Sequence, residues 1–147
     1  MNVSDAMTTN VVSISMDEAV SDVQRMFDDR GFHHLVVVEN GQVVGVVSDR
    51  DLLRNLSPFV GSMSERSQDT NLGKRRVHQI MTRRLVSVLP ETLLADAAQI
   101  MLTERVSCLP VVDGRLRCVG ILSWRDLLIW SLRCMQDQID EGESAAA

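Results

Sequence analysis

The sequence predicts an α+β fold made of two copies of one unit, and an internal repeat carries most of that prediction. The phrase Gly45–Leu53 returns as Gly120–Leu128 with six of its nine residues identical. Residues of the segment Val3–Ser13 also recur 74 positions later, in Val77–Ser87. In both halves short β-branched runs alternate with amphipathic segments, as in layered strands and helices. Period and order together favour duplication over chance similarity.

The first half begins with a predicted strand and helix. The β-branched run Val11–Ile14 predicts the strand, and Ser15 and Asp17 are candidate caps for the helix after it. Apolar residues on one face predict that helix over Glu18–Arg30. Gly31 then stands where a helix commonly ends in a glycine.

A hairpin and a second helix are predicted next. The almost wholly apolar run Leu35–Val38 is typical of a strand in a sheet covered on both faces. Asn40-Gly41 is a strong signal for a two-residue hairpin turn, which leads into a strand over Val43–Val47. A helix is predicted to begin at Asp49.

The second half repeats this order. Its predicted elements are a strand over Leu85–Val88, a helix over Thr92–Glu104, a strand over Leu109–Val112, a turn at Asp113-Gly114, a strand over Arg117–Leu122, a helix from Trp124 to about Ile139 and a polar tail, Glu141–Ala147, that is expected to fray. We therefore predict repeat 1 over residues 1–56, a Ser-, Asn- and Gly-rich linker over 57–76, repeat 2 over 77–131, and the end of the last helix with its tail over 132–147.

Composition excludes several classes of function. A net charge of −5 argues against a nucleic-acid partner. No apolar run is long enough to span a bilayer, no signal peptide is recognisable, and three cysteines lack metal-ligand spacing, so a cytoplasmic protein is predicted. No Gly-rich phosphate loop, metal cluster or nucleophile elbow is present, so we expect no enzyme, and neither catalytic nor metal-binding residues.

The repeated phrase has two possible chemical roles. Ser48 stands where a strand ends and a helix begins, a place that favours an anion such as phosphate. Asp51, three residues on, could cap its own helix or accept hydrogen bonds from a vicinal diol such as ribose. Capping alone needs only the serine and the acid, so the arginine present in both copies favours a ligand pocket. Both interpretations stay open at this stage.

These residues resemble a known family. The phrase Gly-aliphatic-x-Ser-x-x-Asp, present twice, and the run Leu109-Pro110-Val111-Val112-Asp113 resemble a tandem pair of cystathionine-β-synthase (CBS) domains, also called a Bateman module. The first copy, Leu35–Glu39, departs from the second motif because it lacks the proline. The resemblance covers residues 1–56 and 77–131.

The resemblance implies a fold and a ligand. Each repeat would hold a three-stranded sheet with flanking helices, and the two would pack with pseudo-twofold symmetry into one module with two clefts. Such clefts commonly bind AMP, ADP, ATP or S-adenosylmethionine, with the aspartate holding ribose. Carried over, one cleft would use Ser48, Asp51, Leu85, Val86, Ser107 and Cys108, and the other Ser123, Asp126, Val11, Val12, His33 and His34. Arg50 and Arg125 would reach phosphate, and Trp124 could wall a cleft.

Simpler interpretations stand beside these roles. His33 and His34 could be strand-edge residues, with metal binding disfavoured for want of a third ligand, and Cys108 could be a small buried apolar residue. The apolar stripe on the last helix is typical of a core or of a dimer seam. The resemblance implies a regulatory module that binds an adenosyl ligand, forms a homodimer and signals to a separate, unknown protein. The alternative is a constitutive interaction or dimerisation module with empty clefts.

Overall fold

The structure, a computed structural model, describes the backbone of residues 1–55 and 74–145 and the side chains as far as Gln136. The chain folds into two compact units. The first unit comprises Val11–Leu85 and Arg115–Cys118. The second unit comprises Met1–Asn10, Val86–Gly114 and Val119–Ala147. Most of the predicted linker, residues 57–73, lies outside the described part of the chain.

The first unit contains a three-stranded sheet. Strand β1 spans Ser13–Ser15, β2 spans His34–Glu39 and β3 spans Gln42–Ser48. β1 runs parallel to β2, and β2 is antiparallel to β3. The predicted start of β1 is therefore wrong, because Val11 and Val12 precede the residues that pair with β2.

The predicted hairpin between β2 and β3 is confirmed. Asn40 and Gly41 have φ values of 50° and 79°. Positive φ at both central residues is the type I′ pattern, whose twist matches that of the flanking strands. The sequence signal therefore predicted the hairpin, and the structure adds its turn type.

Two helices accompany this sheet, α1 over Val20–Arg30 and α2 over Asp49–Asn55. Gly31 ends α1 in the left-handed region, with φ 64°, and donates its N–H to the carbonyl of Phe27, as predicted. Ser15 and Asp17 do not cap α1. The N–H of Asp17 donates to Oγ of Ser15 at 3.3 Å, so these residues close a turn ahead of the helix.

The second unit contains helix α3 over Leu94–Glu104, strand β4 over Cys108–Val112, strand β5 over Cys118–Ser123 and helix α4 over Trp124–Ala145. β4 and β5 form a two-stranded sheet. Helix α4 continues past the predicted end near Ile139 and includes the backbone of 141–145. The expected fraying of this segment stays a prediction. Residues 146 and 147 lie outside the described part.

The strand predicted over Leu85–Val88 does not form. Only Val88 makes a single parallel bridge, to Val111. Its N–H donates to the carbonyl of Pro110 at 3.1 Å. Pro110 has no N–H of its own to donate further back along the segment, so the ladder stops after one bridge. The second repeat therefore has two strands where three were expected.

The start of each repeat packs in the unit that holds the body of the other repeat. Residues 1–8, the first leader, lie in the second unit, where the N–H of Val3 donates to the carbonyl of Thr92 at 2.8 Å. Residues 75–82, the second leader, lie in the first unit, where the N–H of Val77 donates to the carbonyl of Glu18 at 3.0 Å. The compact units therefore cross the repeat boundaries, although the boundaries themselves remain a prediction.

Each unit has its own apolar core. In both, a leader valine, strand residues and one face of a helix are buried. Burial of this apolar area is the main stabilising contribution to each unit. The first core contains Ile14, Val20, Val23, Phe27, Leu35, Val37, Val47, Leu52, Val77, Ile80 and Met81. The second contains Val3, Val88, Leu94, Ala97, Met101, Leu109, Val111 and Leu122.

Candidate functional site

The repeated phrase forms the same hydrogen-bonded structure in both units. In the first unit, the N–H and the hydroxyl of Ser48 donate to Oδ2 of Asp51 at 2.9 and 2.7 Å. The N–H of Asp51 returns a bond to Oγ of Ser48 at 3.3 Å. This reciprocal arrangement is a capping box for α2. We call residues 48–51 the first junction.

The second junction, residues 123–126, repeats this geometry at the start of α4. The N–H and hydroxyl of Ser123 donate to Oδ2 of Asp126 at 2.7 and 2.5 Å. The N–H of Asp126 donates to Oγ of Ser123 at 3.4 Å. The capping interpretation is therefore confirmed as a description of both junctions.

Capping leaves part of each carboxylate available. All the hydrogen bonds that the carboxylates of Asp51 and Asp126 accept within the described residues go to Oδ2. Both side chains are half-buried rather than enclosed. The second oxygen, Oδ1, can therefore accept a hydrogen bond from a bound hydroxyl without disturbing the cap. A capping role and a ligand-binding role are compatible at the same residue.

Histidines flank the first junction. His34 begins β2 and is paired with Ser48 in the β2–β3 register. The preceding His33 places Nδ1 3.0 Å from Oδ2 of Asp49. Burial lowers the pKa of His34, and Asp49 opposes that shift in part. His34 is therefore largely neutral at pH 7.

Smaller side chains occupy the matching positions at the second junction. Ser107 and Cys108 correspond to His33 and His34 in the repeat, and the carbonyl of Ser107 accepts the N–H of Trp124 at 3.1 Å. Cys108 is buried, in accord with the apolar interpretation. Trp124 is 57% exposed.

Three of the predicted site residues lie beside the junction of their own repeat. His33 and His34 lie beside the first junction, and Ser107 lies beside the second. The assignment of these residues to two clefts stays a prediction. The remaining candidates are Arg50 and Arg125, both exposed, and Val11, Val12, Leu85 and Val86, all half-buried and outside the strands.

Sequence reasoning missed the role of the glycine that opens each phrase. Val46 exchanges backbone hydrogen bonds with Thr82, and Ile121 does so with Thr8. A Cβ on Gly45 would stand 2.7 Å from the carbonyl oxygen of Thr82. The glycine therefore lets a leader approach the strand that carries the junction. Its repetition in the phrase was a signal of such a close approach.

Neither a metal-binding cluster nor a membrane-spanning helix is found among the described residues. Within residues 1–55 and 74–136, no three His, Cys, Asp or Glu side chains are grouped so that they could hold a metal ion. None of the helices in the described part of the chain is both long and apolar enough to cross a bilayer.

Comparison with known proteins gives consistent matches. The CBS domain family model matches residues 3–58 and 77–133. The uncharacterized protein MJ0188 of Methanocaldococcus jannaschii is 33% identical over 130 residues, a match that covers 87% of this chain and 43% of that protein. The chain thus spans less than half the length of this relative.

Solved structures with the same fold include two nucleotide complexes. CBSX2 in complex with AMP has a TM-score of 0.76 and 27% identity, with 91% of this chain and 98% of that chain covered. The cytosolic domain of the Mg²⁺ channel MgtE in complex with ATP has a TM-score of 0.67 and 27% identity, with 86% of this chain and 47% of that chain covered.

Proposed function

Because the chain belongs to the CBS domain family, we propose that it is a regulatory module that binds an adenosyl ligand and signals to a partner protein. The proposed ligands are AMP, ADP, ATP and S-adenosylmethionine. AMP accompanies CBSX2 and ATP accompanies the MgtE domain in their solved structures. The proposed function includes no catalytic step.

The available Oδ1 of Asp51 and of Asp126 is the observation that carries this proposal. A ribose presents two neighbouring hydroxyl donors, and a fixed carboxylate accepts such donors in charge-assisted hydrogen bonds. The capping box holds each carboxylate in place before a ligand arrives, so little ordering is needed on binding. Val11, Val12, Leu85 and Val86 are the proposed adenine contacts.

Signalling would follow from differential affinity. A ligand shifts a protein between two shapes only by as much as it prefers one of them. The junctions begin α2 and α4, so a ligand that tightens a junction acts directly on a helix end. We propose that this change is passed to a separate protein.

Replacing Asp51 or Asp126 by Asn tests the proposal. An amide oxygen can keep the capping bond from the serine, because glutamine serves at this position of capping boxes. The charged acceptor for ribose is lost, so binding at the altered junction should weaken by about 1.5–3 kcal/mol. Isothermal titration calorimetry with each ligand measures the loss, and GMP serves as the control for base specificity.

Asp96→Asn is the matched control variant. Asp96 also lies in the first turn of a helix, α3, but is exposed and belongs to no capping box. This variant should lose about as much helix-dipole stabilisation as Asp51→Asn or Asp126→Asn, about 0.3–1 kcal/mol, and its ligand binding should be unchanged.

In the wild-type protein, ligand at 100 times its Kd should add about 2.7 kcal/mol to the free energy of unfolding. The absence of any stabilisation by all four ligands would overturn the proposal.

A constitutive dimerisation module is the second candidate, and the exposed face of α4 favours it. Leu128, Leu132 and Met135 are 51%, 53% and 57% exposed on that helix. Between α3 and α4 opens an apolar cavity of about 450 Å³, lined in part by Leu127 and Trp130. A homodimer would cover this surface. Sedimentation equilibrium of the wild type and of Leu132→Glu, each with and without AMP, separates a ligand-independent dimer from a ligand-dependent one.

A further inference from the structure

The two junctions differ at the residue that follows the serine. Asp49 holds this position at the first junction, and Trp124 holds it at the second. Oδ1 of Asp49 accepts the backbone N–H of Arg50 at 2.7 Å, and its Oδ2 contacts His33. Trp124 has no oxygen in its side chain, so it can do neither.

This difference changes which N–H groups a ligand can reach. The first N–H groups of a helix have no partner within the helix and are the donors that bind anions. At the first junction, side chains accept those of Arg50 and Asp51. At the second junction, no side chain in the described part of the chain accepts the N–H of Arg125. Among the described residues, a backbone N–H of the first helical turn that no side chain accepts therefore remains at the second junction and not at the first.

The charges at the two junctions also favour an anion at the second junction. Asp49 and Asp51 place two carboxylates in the first turn of α2, whereas Asp126 is the single acid in the first turn of α4. Each junction also has one arginine, Arg50 or Arg125. The neighbouring His34 adds little positive charge at pH 7, because burial lowers its pKa. The first junction is thus the more negative and would repel a phosphate dianion.

We propose, on the premise of the adenosyl-binding function above, that the two junctions divide ligands by phosphate. The second junction binds phosphorylated adenosyl ligands such as AMP, and the first binds adenosyl ligands without phosphate. Asp49 and Trp124 are the residues that set this difference in specificity.

AMP and adenosine are the probes that isolate the phosphate, because the two molecules otherwise match. Calorimetric titrations of Asp51→Asn and Asp126→Asn leave one unaltered junction in each protein. AMP should bind Asp51→Asn like the wild type and bind Asp126→Asn at least about tenfold more weakly. Adenosine should still bind Asp126→Asn. Loss of AMP binding in Asp51→Asn, with binding retained in Asp126→Asn, would overturn the inference.

Exchanging the deciding residues provides the sharper test. Trp124→Asp places a carboxylate near the phosphate and should weaken AMP about tenfold relative to Trp124→Asn, which removes the ring without adding charge. Adenosine should bind these two variants equally. Both should fold, because Trp124 is 57% exposed, and thermal unfolding followed by circular dichroism checks this. Equal AMP affinity of the two variants would contradict the proposed role of charge.

The reverse exchange should create AMP binding at the first junction. In the Asp126→Asn background, Asp49→Ala removes a carboxylate and frees the N–H of Arg50, so AMP affinity should rise about tenfold. Asp49→Asn, whose amide can still accept that N–H, should give a smaller gain. Wild-type protein that binds neither probe and is stabilised by none of the four proposed ligands would refute the proposed function. Wild-type protein that binds neither probe but is stabilised by ATP or S-adenosylmethionine would refute only this inference. Wild-type binding of AMP, unchanged by every substitution at residues 49 and 124, would refute only this inference.

Discussion

The two leaders approach equivalent glycines, but they meet them with different atoms. In the first unit, a Cβ built on Gly45 would stand 2.7 Å from the backbone oxygen of Thr82. In the second unit, a Cβ on Gly120 would stand 2.5 Å from Sδ of Met7 and 3.2 Å from the backbone oxygen of Thr8. Backbone cannot move without breaking the bridge to the strand, whereas the end of a methionine side chain can turn aside.

This difference shows how a duplicated structure diverges. Both units retain the bridge and the glycine, because each unit needs its leader to cover the core. The tolerance at the glycine differs, since it depends on which leader atom lies nearest. Equivalent positions in the two repeats therefore carry different constraints.

Replacing each of these glycines by alanine should give the largest difference in stability between the two units. Overpacking typically costs about 1–3 kcal/mol. We expect Gly45→Ala to lower the free energy of unfolding by about 2–3 kcal/mol and Gly120→Ala by about 1 kcal/mol, since Met7 can yield in the second case. Urea unfolding, followed by circular dichroism, measures both values.

Gly114→Ala is the control for these substitutions. A Cβ on Gly114 would meet no atom within 4 Å, and its φ is not positive. The free energy of unfolding of this variant should differ from that of the wild type by less than about 0.5 kcal/mol. If Gly45→Ala and Gly120→Ala were equally destabilising, the contrast between a rigid and a yielding neighbour would be wrong.

The ends of α1 and α3 form a second contrast. Gly31 follows α1 with φ 64°, and Arg105 follows α3 with φ 54°. The left-handed region costs a residue with a side chain about 1–2 kcal/mol. The second repeat therefore carries strain that the first avoids with glycine.

Exchanging these residues should move stability in opposite directions. Arg105→Gly should raise the free energy of unfolding by up to about 1 kcal/mol, and Gly31→Ala should lower it by about 1 kcal/mol. Thermal unfolding of both variants against wild type measures the shift. Arg30→Gly, within the last turn of α1, is the control and should destabilise, as glycine does in helices. A loss of stability in Arg105→Gly would show that its side chain matters more than its backbone.

Much of the fold could be predicted because the repeat shows each element twice. Gly31, the turn at Asn40-Gly41 and the helix that begins at Asp49 follow from local chemistry and are confirmed. Capping was one of two interpretations of the repeated Ser–Asp phrase. In the structure, Oδ2 of both aspartates accepts the capping bonds.

The exchange of leaders could not be predicted from the sequence. The repeated residues Val3 and Val77 show that each leader belongs to the duplicated pattern, but an apolar residue fits either core equally well. Nor did periodicity exclude a strand over Leu85–Val88, because the proline that ends its pairing lies on the neighbouring strand, at Pro110. Such outcomes depend on long-range partners, which local patterns do not specify.

The residue that begins β2 or β4 provides the last and smallest contrast. His34 lies at this position in the first unit and Cys108 in the second. Burial lowers the pKa of His34, while Asp49 and Asp51 raise it and His33 and Arg50 lower it. The unfolded chain, with a histidine pKa near about 6.5, therefore binds the proton more tightly than the folded protein does.

Stability should accordingly depend on pH through His34. Its contribution is fully present above about pH 6.5 and is lost as the pH falls towards the lower pKa of the folded state, because the unfolded state then binds more protons. Urea unfolding at pH 7.5 and 5.5 should show a larger loss for the wild type than for His34→Gln or His34→Cys. His34→Cys introduces the residue found at the equivalent position of the other repeat. The other titratable groups are the same in these proteins, so their contribution cancels in the comparison. An equal loss in all three proteins would mean that the environment of His34 does not favour its neutral form.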